Sequence, residues 1–432
     1  MRKVVSAPCI TGTIAATPNP IPLMAGGCTK ITWTTNDPLG AEIHVSTPDD
    51  GEKLVTQGPS GSVEVSWITA SKTYTFSIYG STEPKRRLAQ VTVRRSNGSL
   101  ESVLDQLAIE TRSGNIDLDQ LARFVAKVTP RCLSNPRFPE FFRLWEQHGL
   151  HITPVHFYQP IPDTRTLPES LWTQPSELPG IDMNDEVQLH LLRNCFPNFR
   201  NEYEQFPVEK PDQPGHFYFD NGRFSGTDAL VAYCMVRHFK PRTIVEIGSG
   251  YSSLISGQAA VKNGAPALVC VEPFPLAFLT KGFPGLRSLV EEKVEDVGLD
   301  FFSQLQSGDI LFIDSSHTVK IGGDVNYLFL AVLPRLNPGV IVHVHDILFP
   351  FEYRRDWVMD EFRFWTEQYL LQAFLAFNSQ FEVLVANSYL AHRYLDDFKA
   401  TFPTSPWWGG GSFWMRRKPV VAGSSHTVAA ST

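Results

Sequence analysis

No apolar run in this sequence reaches the roughly 18 residues that a membrane-spanning helix needs, so no membrane span is expected. Basic residues are not in excess either. The 38 Lys and Arg are outnumbered by 45 Asp and Glu, and the net charge is -7. A general nucleic-acid binder needs a basic footprint, so that class of partner is set aside. Cysteine is sparse: Cys9, Cys28, Cys132, Cys195, Cys234 and Cys270 include no C-x-x-C pair, which argues against structural zinc. Cys9 and Cys28 flank a β-rich stretch and could pair if oxidised. Cys234 and Cys270 sit in apolar runs and read as buried free thiols. The opening MRKVVSAPCITGTIAATPNP holds no adequate apolar segment for a signal peptide.

What is present is a globular composition, 42% apolar and 19% charged, over 432 residues. At about 150 residues per domain that length predicts two or three domains. Over residues 8–95, Thr29–Thr35, Ala41–Ser46, Ser62–Ile68, Lys72–Tyr79 and Leu88–Val93 alternate apolar and polar side chains. They are separated by the turn residues Asn36-Asp37-Pro38, Pro48-Asp49-Asp50-Gly51 and Gly58-Pro59-Ser60-Gly61. Period two with turns at this spacing predicts an antiparallel sandwich with Trp33 in its core. The stretch resembles the immunoglobulin-like modules of bacterial surface and glycan-related proteins.

Ser96-Asn97-Gly98-Ser99 reads as a linker. Beyond it Leu104, Leu107, Ala108, Leu118, Leu121, Phe124, Val125 and Val128 fall at helical spacing, so residues 100–150 are expected to be mainly helical. Residues 151–180 are too rich in proline for a long helix, and 100–180 is taken as a connecting region. From Arg242 the rhythm becomes strand, loop, helix. Strands are predicted at Thr243–Ile247, Ala267–Val271, Asp309–Ile313, Val340–Val344, Phe381–Val385 and Ser412–Met415. Helices are predicted at Ser225–Phe239, Ser252–Lys262, Val325–Leu336 and Met359–Phe377. That alternation predicts an α/β fold, a Rossmann-like doubly wound and mostly parallel sheet, over residues 181–418. The tail at 419–432 is expected to be disordered.

The first of these strands runs into Glu246-Ile247-Gly248-Ser249-Gly250-Tyr251-Ser252, and the second ends at Glu272. Paired glycines let a chain turn tightly and approach a ligand, and a carboxylate at Glu272 is placed to accept bonds from ribose hydroxyls. A dinucleotide site would want a third glycine where Ser253 stands. Glu246, just before the turn, suits a cation better than a pyrophosphate, and S-adenosyl-L-methionine is a cationic nucleoside. On these residues the chain resembles the class I methyltransferases. The stretches Gly308–His317 and Pro334–Ile347, with Asp220–Phe224 and Gly409–Trp414, are similar to the small-molecule and sugar O-methyltransferase branch, which includes macrolide-sugar methyltransferases and cephalosporin-hydroxylase-like relatives.

The resemblance implies a cofactor site of Glu246, Gly248, Ser249, Gly250, Tyr251, Ser252, Glu272, Glu295, Asp296 and Asp314. It implies His317 as general base and Asp314, His345 and Asp346 as ligands of a divalent cation. His345 stands where Glu is usual, so the ion is magnesium, a softer metal, or absent. An imidazole of pKa near about 6.5 could take a hydroxyl proton at neutral pH. Simpler readings stay open. Asp314 could cap a turn, His317 could face solvent, and one of His343 and His345 could be a satisfied core residue. Tyr251 could merely pack, and Glu295-Asp296 could be a solvated acidic pair. Trp357, Trp365, Trp407 and Trp408 could line a sugar-stacking cleft or pack.

The activity implied is O-methylation of a sugar, glycan or natural-product hydroxyl in the cytoplasm, with a homo-oligomer left open. The alternatives are a nicotinamide-dependent oxidoreductase and a non-catalytic glycan-binding protein with a degenerate enzyme domain.

Overall fold

The alternating stretch folds as its period demands. A computed structural model describes residues 9–21, 28–69, 72–95, 100–114, 117–264 and 268–418. The predicted linker and tail lie outside them. The strands β1 (Gly12–Thr17), β2 (Thr29–Thr35), β3 (Ala41–Ser46), β4 (Lys53–Gly58), β5 (Ser60–Val65), β6 (Tyr74–Gly80) and β7 (Arg87–Val93) form two antiparallel sheets, ordered β1-β2-β5 and β4-β3-β6-β7. Along β2, Thr29, Ile31 and Trp33 are buried while Lys30, Thr32 and Thr34 face out. Ile31, Trp33 and Val65 from one sheet share a core with Ile43, Phe76 and Ile78 from the other. The Trp33 indole N–H donates to Gly58 O at 3.2 Å, so burial of the ring leaves no donor stranded. β1 (GTIAAT) and β4 (KLVTQG) were not expected, since both are weak in β-formers. Cys9 and Cys28 are both exposed and unpaired.

Three helices follow: α1 (Leu100–Arg112), α2 (Leu118–Leu133), which Asp117 caps by accepting from Asp119 N, and α3 (Phe138–Gln147). The boundary between two compact units then falls between Pro154 and Val155. The residues read above as one connecting region are thus divided between the units.

The second unit is built on a seven-stranded sheet. Its strands are β8 (Ile244–Ile247), β9 (Leu268–Val271), β10 (Leu286–Val290), β11 (Ile310–Ile313), β12 (Ile341–Val344), β13 (Phe381–Ala386) and β14 (Phe413–Arg417), in the order β10-β9-β8-β11-β12-β14-β13. Neighbours from β10 to β12 are parallel, and β14 runs antiparallel to both β12 and β13. β8, β9, β11 and β12 are buried along their whole length, as strands covered on both faces must be. The winding direction reverses between β8 and β11, and a crevice at the carboxyl ends of such strands is where open α/β sheets take ligands.

Against one face lie α4 (Gly226–Phe239), buried over most of its length, and α5 (Tyr251–Lys262). The other face is covered by residues including Leu328, Val332, Leu371 and Leu375. Three expectations need correction. β10 was missed: Leu286–Val290 lies at a sheet edge, where burial is partial and the apolar signal weak. The helix expected over Val325–Leu336 is an α-turn (Asp324–Tyr327), a π-turn (Leu328–Val332) and a 3-10 turn (Leu333–Arg335) that holds Pro334 in its first positions. The helix expected over Met359–Phe377 is only α6 (Glu367–Leu375), because residues 360–366 leave the helical path. Among the described residues no helix is long and apolar enough to cross a membrane.

Candidate functional site

The turn after β8 is one that only glycine allows. Gly248 has φ +79°, and a Cβ there would stand 1.7 Å from the carbonyl oxygen of Asp314 at the end of β11. The two strand ends on either side of the switch point therefore approach backbone to backbone. Gly250 precedes α5, with nothing within 4 Å of where a Cβ would be. Its N–H donates to Ser253 Oγ at 3.1 Å, and Ser249 Oγ donates to Glu246 O at 3.1 Å, so the loop is held from within.

Glu246 is fully buried. Its Oε1 accepts from Ser252 Oγ at 2.6 Å and Ser253 Oγ at 2.8 Å, while Oε2 has no partner. Burial pushes its carboxyl up to about 8, against the two serine bonds that favour the anion. Ser252 is thus committed to Glu246. Tyr251 packs at the edge of Tyr218 and beside Phe278. Glu272 is partly exposed beyond β9 and accepts from Phe274 N at 2.7 Å through Oε1. Glu295 and Asp296 sit in a short turn after β10, with Asp296 exposed.

Across the switch point lies a cluster of carboxylates around one imidazole. His317 Nε2 is 3.3 Å from Asp314 Oδ1 and 3.6 Å from Asp346 Oδ2, and its Nδ1 is 2.9 Å from Glu367 Oε2. Candidate ligand atoms of Asp314, His317 and Asp346 all lie within 4.8 Å of one another. Of the three residues assigned to a cation, Asp314 and Asp346 meet, but the imidazole grouped with them is His317. His345 Nε2 lies 3.6 Å from Asp346 Oδ1, and its Nδ1 is buried without a partner. His343 is the core histidine, stacked on Phe312 with Nε2 3.1 Å from Ser412 Oγ, and burial drives its pKa well down.

Charge sets the protonation of the cluster. Burial disfavours the His317 imidazolium, yet bonds to Asp314 and Glu367 outweigh it and raise its pKa well above 6.5. That differs from the near-neutral value expected of a free imidazole. Burial alone would raise Asp314, but the charge of His345 and the bond from His317 hold it below its ordinary value. Burial raises Glu367, only partly offset by His317.

The backbone is strained where the chemistry gathers. His317 has φ +56° and Asp346 φ +54°, conformations that cost a non-glycine residue about 1–3 kcal/mol each. Two bonds pin His317, since its carbonyl accepts from Thr366 N at 2.9 Å and Glu367 N at 3.0 Å. Asp346 is held by Gly411, where a Cβ would stand 2.6 Å from Asp346 Cα. Buried Asp228 in turn fixes that glycine loop, accepting from Gly411 N, Ser412 N and Asn387 Nδ2.

Glu367 was not foreseen. Inside an apparent amphipathic helix it looked like a surface charge, and only the break at 360–366 puts it at a helix start, facing His317. Of the tryptophans, Trp365 lies over His317 at 4.4 Å between ring centres and meets Trp357 edge to face. Trp407 packs beneath Gly226, and Trp408 donates to Phe402 O at 2.9 Å, so both serve packing.

Comparison with known proteins adds a match to one domain family over part of the second unit. A family model described as a methyltransferase domain matches residues 245–347, from β8 to just beyond β12. A protein of Archaeoglobus fulgidus, described only as uncharacterized, is 34% identical over 176 residues, spanning 38% of this chain and 77% of its own. Among solved structures, a Lactobacillus rhamnosus beta-glucuronidase is 21% identical over 19% of this chain and 14% of its own, with a TM-score of 0.13. A likeness that slight carries no argument about the fold.

Proposed function

Because residues 245–347 match a methyltransferase domain model, we propose that this chain is an S-adenosyl-L-methionine-dependent O-methyltransferase acting on a hydroxyl of a sugar, glycan or natural product. The observation that carries this is adjacency. The glycine turn with its buried Glu246 and the His317 cluster share one contact, Gly248 against Asp314. A nucleoside site and a proton acceptor thus sit side by side at the switch point.

The residues fit a cationic nucleoside. Glu246 carries an orphaned buried oxygen, Gly250 leaves open space where any side chain would intrude, and Asp314 adds a second carboxylate. A pyrophosphate would meet the ionised Asp314 carboxylate unfavourably, which counts against the nicotinamide-dependent alternative. Glu272 is the proposed ribose contact through its free oxygen, and Glu295 and Asp296 are proposed at the base end.

When bound, the cofactor supplies a methyl group on a positively charged sulfur. The chain has to hold the acceptor oxygen in line with that carbon and remove its proton. His317 Nε2 would take the hydroxyl proton as the acceptor oxygen receives the methyl group that the cofactor would supply. Glu367 fixes the His317 ring through Nδ1 and stabilises the imidazolium that results. With its pKa raised, His317 must first lose a resting proton, so turnover should rise with pH above neutrality.

A second reading is favoured by the grouping of ligand atoms. Asp314, His317 and Asp346 offer two carboxylate oxygens and a nitrogen within 4.8 Å, and would hold a divalent cation that acidifies the hydroxyl. Magnesium suits this set less well than a borderline metal such as zinc or iron, which accepts imidazole readily. Chelation separates the readings, since activity that survives EDTA leaves His317 as the base.

The remaining assignments are proposals of the same standing. They are membership of the sugar and small-molecule branch, an immunoglobulin-like identity for the sandwich and a cytoplasmic location. The direct test is methyl transfer from labelled cofactor to a panel of hydroxylated acceptors. A loss of transfer in His317→Ala, with cofactor binding retained, is the expected result. Wild-type turnover in that variant removes the assignment.

A further inference from the structure

Beside the His317 cluster lies a cavity of about 220 Å³ that the cofactor site does not use. Its walls come from two segments far apart in sequence. The Pro-rich stretch gives Pro160, Pro162, Leu167, Leu171 and Trp172, and the chain after β12 gives Tyr353, Val358, Phe364 and Trp365. The second segment leads straight into the catalytic cluster. Trp365 turns its ring to His317, and the next two residues bind the His317 carbonyl. Leu348, Tyr353 and Val358 form a separate apolar cluster against which Leu167, Trp172 and Trp365 pack, so the pocket is a built element.

Each polar group named on its walls is already engaged at least once. Glu352 Oε1 accepts from Tyr369 Oη at 2.6 Å and from Gln368 Nε2 at 3.0 Å. Tyr353 Oη accepts from Gln368 N at 3.0 Å, and Thr366 Oγ1 accepts from Val319 N at 2.7 Å. Arg363 pairs with Glu361 and lies over the rings of Trp357 and Trp365. A sugar buried here would lose water from several hydroxyls and find little to replace it, at a cost of about 1–3 kcal/mol for each unpaired group. A planar apolar ring loses nothing comparable and gains contact with the apolar wall residues Leu167, Leu171, Trp172 and Phe364.

We propose that this cavity binds the apolar ring portion of the acceptor, so that the methylated hydroxyl belongs to, or directly adjoins, an aromatic or alicyclic ring. The assignment rests on the methyltransferase reading and narrows it from hydroxyl compounds in general to hydrophobic alcohols and phenols.

The test uses the full chain with 2-naphthol and methyl β-glucopyranoside as probes, each titrated by calorimetry with S-adenosylhomocysteine present. S-adenosylhomocysteine alone is titrated into the same samples. The expected result is saturable binding of 2-naphthol, at least tenfold weaker in Leu171→Trp and in Leu167→Trp, with S-adenosylhomocysteine affinity within twofold of wild type. Thermal unfolding of each variant verifies that it is folded, and two separate positions guard against loss of one. Binding of the glucoside in preference to 2-naphthol, or 2-naphthol binding that a folded filled-pocket variant leaves unchanged, overturns the proposal. Absence of S-adenosylhomocysteine binding with 2-naphthol binding intact would instead overturn the methyltransferase reading and leave the pocket standing.

Discussion

Glu367 Oε2 lies 2.9 Å from His317 Nδ1, with the glutamate 1% and the histidine 7% exposed. A carboxylate so buried, bonded to the far nitrogen of an imidazole, fixes both the tautomer and the direction of the other nitrogen. Glu367→Gln keeps the shape and removes the charge. It is expected to lower turnover by about 10–100-fold, by analogy with other carboxylates that orient a histidine. The His317 pKa should fall, so the alkaline rise of the rate should move to lower pH. An unshifted pH–rate profile would assign Glu367 to packing alone.

Gly248→Ala places a Cβ on the carbonyl of Asp314 at a φ that L-residues avoid. The loop or the end of β11 must move to relieve the clash. Loss of cofactor binding with a lowered melting temperature is expected. Ordinary affinity in that variant, measured by calorimetry, would mean that the turn does not shape the site.

Glu246 predicts a pH dependence with a definite sign. Its folded pKa, about 8, lies above the ordinary 4.5, so the folded apo protein binds the extra proton. The stability this group contributes is complete below about 4.5 and is lost as the pH rises through about 8. Glu246→Gln should flatten that part of the apo stability curve, followed by chemical denaturation at several pH values. A cationic ligand favours the ionised form, so wild-type affinity should strengthen over the same window and binding should release a proton. Binding heats independent of buffer ionisation enthalpy near neutral pH would contradict this.

Much of the local structure around the candidate site was legible before the fold was known. The strand–turn–helix context of Glu246–Ser252 marked the glycine turn, and short apolar runs marked β8, β9, β11 and β12, because full burial on both faces leaves continuous hydrophobic stretches. Asp314, His317 and Asp346 were singled out by the resemblance to the O-methyltransferases rather than by local pattern. What remained hidden depended on long-range packing. The pairing of Glu367 with His317 spans 50 residues and follows a break in an apparent helix. The choice between His343 and His345 rests on Ser412, 69 residues from His343, which no local pattern can signal.

Metal dependence has its own test. If Asp314, His317 and Asp346 hold a divalent cation, Asp346→Asn should lower affinity for zinc at least tenfold, and chelation should remove activity that added metal restores. Full turnover after exhaustive chelation leaves the cluster as a proton-handling site only.

The measurement that bears most directly on the whole account is a paired titration of the purified chain with S-adenosyl-L-methionine and with NAD. Saturable one-to-one binding of the sulfonium nucleoside, weakened at least tenfold by Glu272→Ala, is the predicted result, with no heat from NAD. Tight binding of NAD, or silence from both ligands, would contradict the claim that the crevice between β8 and β11 is a methyl-donor site.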